Sequence, residues 1–422
     1  MTSLGSRPTA PTDEEYRRAG ARRVFIATVA LVLGGFGIGT TEFVTMGLLP
    51  DIAQGLRVSI PSAGHAISAY AVGVVIGAPA IAVVGARWPR RALLLGLMAL
   101  FAAGNVASAV APSYGSLLLF RFVAGLPHGA FFGVASLVAV DMAPLGRAGR
   151  AVGRVMLGIP LANVVGVPAA TWLGQHLGWQ AAYWTVGGLG LLTVLLVAVF
   201  VPHTPHDADS TIRRELAAFS RLQVWLTLLV GAIGFGGMFA MYSYIAPTVT
   251  QVTRLPASAI PLFLLVFGLG GLVGTTLGGR LADWSVLRSL VFSTAGTAAV
   301  LALFAVTSQW AVPALLTVFA VSVVVSVLVI NLQLRLMTVA GGAKTLGAAS
   351  NHAALNLANA LGAWLGGVVI DRGWGYTAPS LVGAALSLAG LAVLGVSVWV
   401  HRRPAAARAA GPVVVSGQSS TQ

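Results

Sequence analysis

Twelve apolar runs alternate with short polar segments along the 422 residues, each run long enough to cross a bilayer as one helix. They cover roughly Val24–Leu49, Ala63–Ala86, Ala92–Ala111, Ser116–Val140, Ala151–Leu173, Trp179–Val201, Leu222–Ala246, Ala259–Ala282, Ser289–Thr307, Trp310–Leu334, Thr345–Ile370 and Thr377–Val400. The pattern predicts an all-α membrane protein with twelve transmembrane helices. The longest polar stretch inside the chain, Pro202 to Arg221, follows the sixth run. It divides the chain into an N-terminal tail (1–23), a first six-helix bundle (24–201), a linker (202–221), a second bundle (222–400) and a C-terminal tail (401–422). The N-terminal tail is polar and Pro-containing and reads as disordered.

An internal repeat supports this division. The fifth run reads Ala162-Asn163-Val164-Val165-Gly166 and exits through Gly178-Trp179. The eleventh reads Ala358-Asn359-Ala360-Leu361-Gly362 and exits through Gly373-Trp374. Two like-oriented six-helix halves meeting near the midplane are transporter architecture.

Composition narrows the class. With 57% hydrophobic and 9% charged residues, the chain has too little charge to cover a soluble surface. A net charge of +14 would suggest nucleic acid in a soluble protein. Its distribution points elsewhere. All of the 25 Lys and Arg residues except Arg57, Arg121, Arg254 and Arg372 fall on the side of the two termini. This positive-inside bias puts both termini in the cytoplasm and the basic surface against anionic lipid. The absence of cysteine excludes disulfides, thiolate metal sites and cysteine nucleophiles. No stretch has the form of a cleavable signal.

One carboxylate sits well inside an apolar run: Glu42, within Thr40-Thr41-Glu42-Phe43. An acid in hydrocarbon is costly and marks an ion or substrate path by default. Arg121, in the fourth run, lies at a similar depth, roughly 10 Å from the outer end at the helical rise. The two are expected to pair or to compete for shared partners. Apolar surroundings favour the protonated acid, and a guanidinium favours the carboxylate. A site moving between those surroundings would take up a proton in one state and release it in the other. The alternative is a fixed structural ion pair. His128 follows Arg121 by two helical turns and shares its face, as a proton relay or a packing histidine. Gly125, Gly129 and Gly133 read as helix packing. In the seventh run Phe235, Met238 and Tyr242 line the substrate cavity or form an interfacial belt. Asn331, and the stripe His352, Asn356 and Asn359, make helix contacts or line the pathway.

Several segments resemble one family. Gly279-Arg280-Leu281-Ala282-Asp283-Trp284 with Arg288 resembles the loop motif of the major facilitator superfamily. The copy after the second run keeps Arg87, Arg90 and Arg91 but has Ala86 where the motif carries Asp. Arg121 with Gly125 resembles the superfamily's intramembrane Arg motif. Gly158-Ile159-Pro160 through Gly166-Val167-Pro168 resembles the antiporter motif loosely. The resemblance covers about residues 24–400 and falls in the twelve-span drug:proton antiporter branch. Thr40 to Phe43, Met46 to Pro50 and Gly125-Leu126-Pro127-His128-Gly129 resemble arabinose- and sugar-efflux permeases and actinomycete chloramphenicol-resistance exporters.

The resemblance implies two pseudo-symmetric six-helix bundles around a central cavity. It links Arg121 to proton coupling, the role that the residues themselves suggest for Glu42 and His128, and it assigns an inner gate to Arg87, Arg90, Asp283 and Arg288. Gly158, Pro160, Gly166 and Pro168 stand in the antiporter-like motif. The expected activity is export of a small amphipathic, chloramphenicol-like compound in exchange for protons, with sugar or nucleoside efflux as the alternative. The coupling ion is the proton. No metal, organic cofactor or nucleic acid is implied, and the chain is expected to act as a monomer in the cell membrane. H-E-x-x-H, G-x-S-x-G and Walker-type loops are missing, and the single lysine, Lys344, lacks a phosphate-binding context. The two-fold repeat argues against a channel.

Overall fold

The computed structural model describes residues 13–85, 88–143, 148–202, 220–340 and 344–409. Among these residues all regular structure is helical. Eleven helices are long and apolar enough to cross a membrane. One of them, Ala257–Thr307, has 51 residues, too many for one crossing. It bends at Ser285, whose backbone is extended (φ −173°, ψ 111°). The twelve spans are therefore Arg22–Gly47 (span 1), Ile60–Ala78 (2), Arg90–Ala109 (3), Tyr114–Asp141 (4), Gly153–Leu177 (5), Gln180–Phe200 (6) and Leu222–Tyr242 (7), then Ala257–Thr307 (8 and 9), Ala311–Ala340 (10), Ser350–Asp371 (11) and Ala378–Val400 (12). An even number of crossings puts both ends of the chain on one face, here called the terminal face. Large apolar side chains such as Leu195 (59%) and Leu316 (65%) point outward, as lipid-facing residues do.

The helices depart from the simple runs where the backbone chemistry requires it. Helix 1 begins at Asp13, so residues 13–23 are helical rather than disordered. The last helix likewise runs to Ala409, into the predicted tail, through an Ala- and Arg-rich segment. Span 1 stops at Gly47, and Leu49–Leu56 forms a separate short helix with Pro in its first turn. Span 4 breaks at Leu126–Pro127, because Pro127 cannot donate to the preceding turn. Span 5 carries a π-helical turn, Ala162–Gly166, and span 7 another, Val230–Gly234. Such turns cluster at functional sites. The predicted linker lies mostly outside the described residues.

Glycines set the closest helix approaches. A Cβ on Gly125 would run into the Tyr70 carbonyl, and one on Gly73 into that of Phe122. Spans 2 and 4 thus touch backbone to backbone, which brings Tyr70 up to Arg121. Gly125→Ala is expected to cost about 1–3 kcal/mol of stability, read as a lower melting midpoint in detergent.

The two halves close on each other on the side opposite the terminal face. Tyr244, whose hydroxyl donates to the Ala363 carbonyl within the second half (2.8 Å), lies against Gly64 of span 2. Ser68 donates to the Ala360 carbonyl (3.2 Å), and Gln175 to that of Ala257 (3.0 Å). Toward the terminal face the same helix pairs part. Gly268 rests on the Asn163 backbone, whereas Leu272, Thr275 and Gly279, on the same side of span 8, are exposed. Span 2 repeats this: beyond Ser68, Val72 and Ile76 are exposed. One aromatic contact still bridges the halves there. Phe132 of span 4 stacks on His352 of span 11, centroids 5.6 Å apart and planes within 5°. The centre is sealed by many contacts on one side and thinly on the other.

Candidate substrate and proton site

Three consecutive residues of span 1 build the centre. A helix turns about 100° per residue, so Thr41, Glu42 and Phe43 point in three directions. Thr41 faces the first half, Phe43 the second, and Glu42 the seam between them. Glu42 is 6% exposed. Asn359 of span 11 reaches its carboxyl from the other half, yet the amide makes no hydrogen bond of ordinary geometry.

Arg121 is fully buried and held on the Thr41 side. It donates from Nη1 to Thr41 Oγ1 (2.8 Å) and from Nη2 to the Thr41 carbonyl (3.0 Å). Its guanidinium lies 4.4 Å from the Tyr70 ring and 5.2 Å from that of Tyr183. These cation–π contacts stabilise a charge that water does not reach. The clamp extends outward. The Thr41 hydroxyl donates to Asn105 Oδ1 (2.5 Å), and Asn105 Nδ2 donates to the Phe101 carbonyl (2.8 Å). Tyr183 hydroxyl meets Thr45 Oγ1 at 2.8 Å.

Glu42 and Arg121 are neighbours without being an ion pair. Among the described residues the side-chain ion pair is Arg90–Asp141. The expected direct pairing is not formed: the Thr41 hydroxyl and carbonyl take the guanidinium's donors instead. The carboxyl keeps the positive charge nearby but is not locked to it. His128 joins the same group: its Nδ1 lies 3.0 Å from the Tyr70 hydroxyl, and Tyr70 also carries Arg121. The His128 ring lies 5.6 Å from Phe132, which in turn stacks on His352.

On the other side of Glu42 stands an aromatic wall. Phe43 stacks on Phe239 (6.2 Å) and meets Tyr242 edge-on (6.0 Å). Tyr242 stacks on Phe267 at 4.0 Å, and Phe235 packs on Phe239 at 5.3 Å. Phe235, Met238 and Tyr242 are buried inside the protein rather than facing lipid. Of the amides, Asn331 donates to the carbonyls of Gly278 (3.3 Å) and Val327 (2.9 Å) and braces span 10 against span 8. This places it with helix packing. Asn356 donates to the His352 carbonyl (3.0 Å), leaving its own Oδ1 unpaired.

The glycines of the segment from Gly158 to Pro168 sit at close packing contacts. Gly158 lies against the Gly35–Phe36 backbone, and Gly166 against Thr40 and Phe36. Pro160 and Pro168 bracket the π-helical turn between them. At the terminal face Arg90 Nη1 contacts Asp141 Oδ2 at 2.5 Å, which gives the basic loop an acid from span 4 in place of the missing motif Asp. Arg87 lies outside the described residues. Asp283 is exposed and makes no ion pair among the described residues, and Arg288 lies over the Trp284 ring (5.2 Å).

Sequence reasoning passed over Tyr70, Tyr183, Asn105, Phe267 and Asp141. Intramembrane tyrosines and an amide in spans 2, 3 and 6 were a signal, but their convergence on Arg121 is a tertiary fact. Comparison with known proteins agrees with the architecture. Residues 31–350 match the model of the Major Facilitator Superfamily. The chain belongs to that superfamily. It is a transporter and not an enzyme. The inner membrane transport protein YdhP of Escherichia coli K12 is 42% identical over 384 residues, 89% of this chain and 96% of the relative. The chloramphenicol resistance protein of Streptomyces lividans is 33% identical over 348 residues (81% and 88%). A probable sugar efflux transporter of Helicobacter pylori is 31% identical over 383 residues (90% and 96%). Among solved structures, a D-xylose-proton symporter superposes with a TM-score of 0.71 at 17% identity, covering 88% of this chain and 97% of its own. The inward-open xylose transporter XylE of E. coli gives 0.67 at 16% (88% and 95%).

Proposed function

We propose that this superfamily member exports a small amphipathic compound in exchange for protons, with Glu42 as the group that carries the proton. The observation that supports this most is the placement of Glu42: buried, at the seam, beside a fixed cation but not paired with it. A carboxyl so placed is free to change state when the seam changes. The concentration of Lys and Arg on the terminal face supports a cytoplasmic orientation for it. The thinly sealed side then opens inward, and the heavily sealed side is the external gate.

Substrate entering from the cytoplasm takes the seam between the aromatic wall and span 11, and its binding favours release of the Glu42 proton. The halves rock, substrate leaves, and a proton from outside resets the carboxyl. Arg121 and His128 shape that step through Thr41 and Tyr70. The aromatic wall suits the flat apolar part of a chloramphenicol-like molecule. Sugar or nucleoside efflux is the second reading, favoured by the unpaired amides of span 11. Expression in a drug-sensitive host without its own pumps separates the two. The first reading expects resistance to chloramphenicol; the second expects resistance to toxic sugar or nucleoside analogues and none to chloramphenicol.

A further inference from the structure

Buried amides in this protein are satisfied unequally: Asn331 keeps an unpaired Oδ1, and Asn351, 1% exposed, has neither end paired. Asn105 is fully buried, and both ends of its amide are satisfied, by Thr41 and by the Phe101 carbonyl. Asn359 is also fully buried, and its amide, which reaches toward the Glu42 carboxyl, makes no hydrogen bond of ordinary geometry. Asn356, one turn away and 3% exposed, leaves Oδ1 unpaired. The two share a face with His352, which touches the first half, and Asn359 approaches Glu42. Asn163, at the matching place of the repeat in span 5, likewise keeps an unpaired Oδ1. An unsatisfied buried amide is a standing cost that leucine, of similar size, would not carry. Such groups at a seam that opens in every cycle are explained by a ligand that completes them.

We propose that Asn356 and Asn359 form a hydrogen-bonding edge that reads hydroxyl or amide groups of the substrate, opposite the wall of Phe43, Phe239 and Tyr242. The transported class is then a solute with both donors and acceptors beside a flat apolar group, and a purely apolar compound is discriminated against. This rests on the export reading above and deepens it. An edge of both donors and acceptors is what a group acting as both, such as hydroxyl, requires. A site built for such a group rejects analogues that lack it, because its own amides then stay unpaired.

The test uses the full-length protein in detergent, with Asn359→Leu and, as a second variant, Asn356→Leu. Thermal unfolding is followed without ligand, and binding is measured with chloramphenicol and with L-arabinose as probes. Removing an unpaired amide from the interior is expected to raise the melting midpoint by about 2–4 °C. Affinity for whichever probe binds the wild type is expected to fall about tenfold or more. Unchanged affinity in both variants overturns the proposal, as does a melting midpoint lowered in both, which would mean that the amides support the fold. Should neither probe bind the wild type, the export reading for these compounds fails. The melting midpoints then decide the inference alone: a rise supports it and a fall overturns it.

Discussion

Glu42→Gln is expected to bring the drug resistance of expressing cells down to that of the empty-vector host while leaving substrate binding nearly intact. Gln keeps the length and planarity of the side chain and can still face Asn359, so the seam packs as before. What it loses is the proton site. In the wild type the acid is buried at the junction of the halves with Arg121 nearby but committed to Thr41. A shift of the seam therefore changes the balance between apolar surroundings, which favour the neutral acid, and the guanidinium, which favours the anion. A side chain that is permanently neutral cannot register that change. The checks are growth on graded drug concentrations and equilibrium binding to the purified variant. Full proton-driven export by Glu42→Gln would remove this residue from the mechanism.

Arg121 variants are expected to show the next largest effect, with stability and transport both affected. Arg121→Ala removes two charge-assisted hydrogen bonds and empties the space between Tyr70 and Tyr183. The cost is expected to be about 2–4 kcal/mol, with export at background. Arg121→Lys is the sharper variant. An ammonium is a point charge and cannot donate in a fork to a hydroxyl and a carbonyl while lying flat between two rings. Its melting midpoint is expected to fall less than that of the alanine variant, yet export is expected to be lost as fully. If Lys supported wild-type export, the fork geometry would be irrelevant and a bare positive charge would suffice.

The parts of this picture that periodicity and composition carry were legible from the chain. Twelve apolar runs, the central polar stretch and the Asn-to-Trp repeat sufficed for the architecture, because the bilayer forces length and hydrophobicity on each span. Glu42 and Arg121 stood out for the same reason: charge is rare in hydrocarbon. Their relationship did not. A depth estimate placed them at one level and suggested contact, but rotation about span 1 sends Thr41, not Glu42, toward Arg121. The position of Tyr242 was likewise open between lipid and interior, since an aromatic suits both, and packing against Phe43 and Phe267 puts it in the interior. Breaks at Leu126–Pro127 and in span 5 follow from proline, but where the broken ends point does not. Helical segments at 13–23 and 401–409 extend beyond the apolar runs, because Ala, Glu and Arg form helix readily even where the composition is polar.

Coupling, as proposed here, requires one carboxyl to give up its proton when substrate occupies the seam. The most direct measurement is proton release on substrate binding, followed with a pH indicator in weakly buffered detergent solution. The wild type is expected to release up to one proton per substrate bound, most where Glu42 starts protonated, and Glu42→Gln is expected to bind without release. Equal release by the wild type and by Glu42→Gln would contradict it.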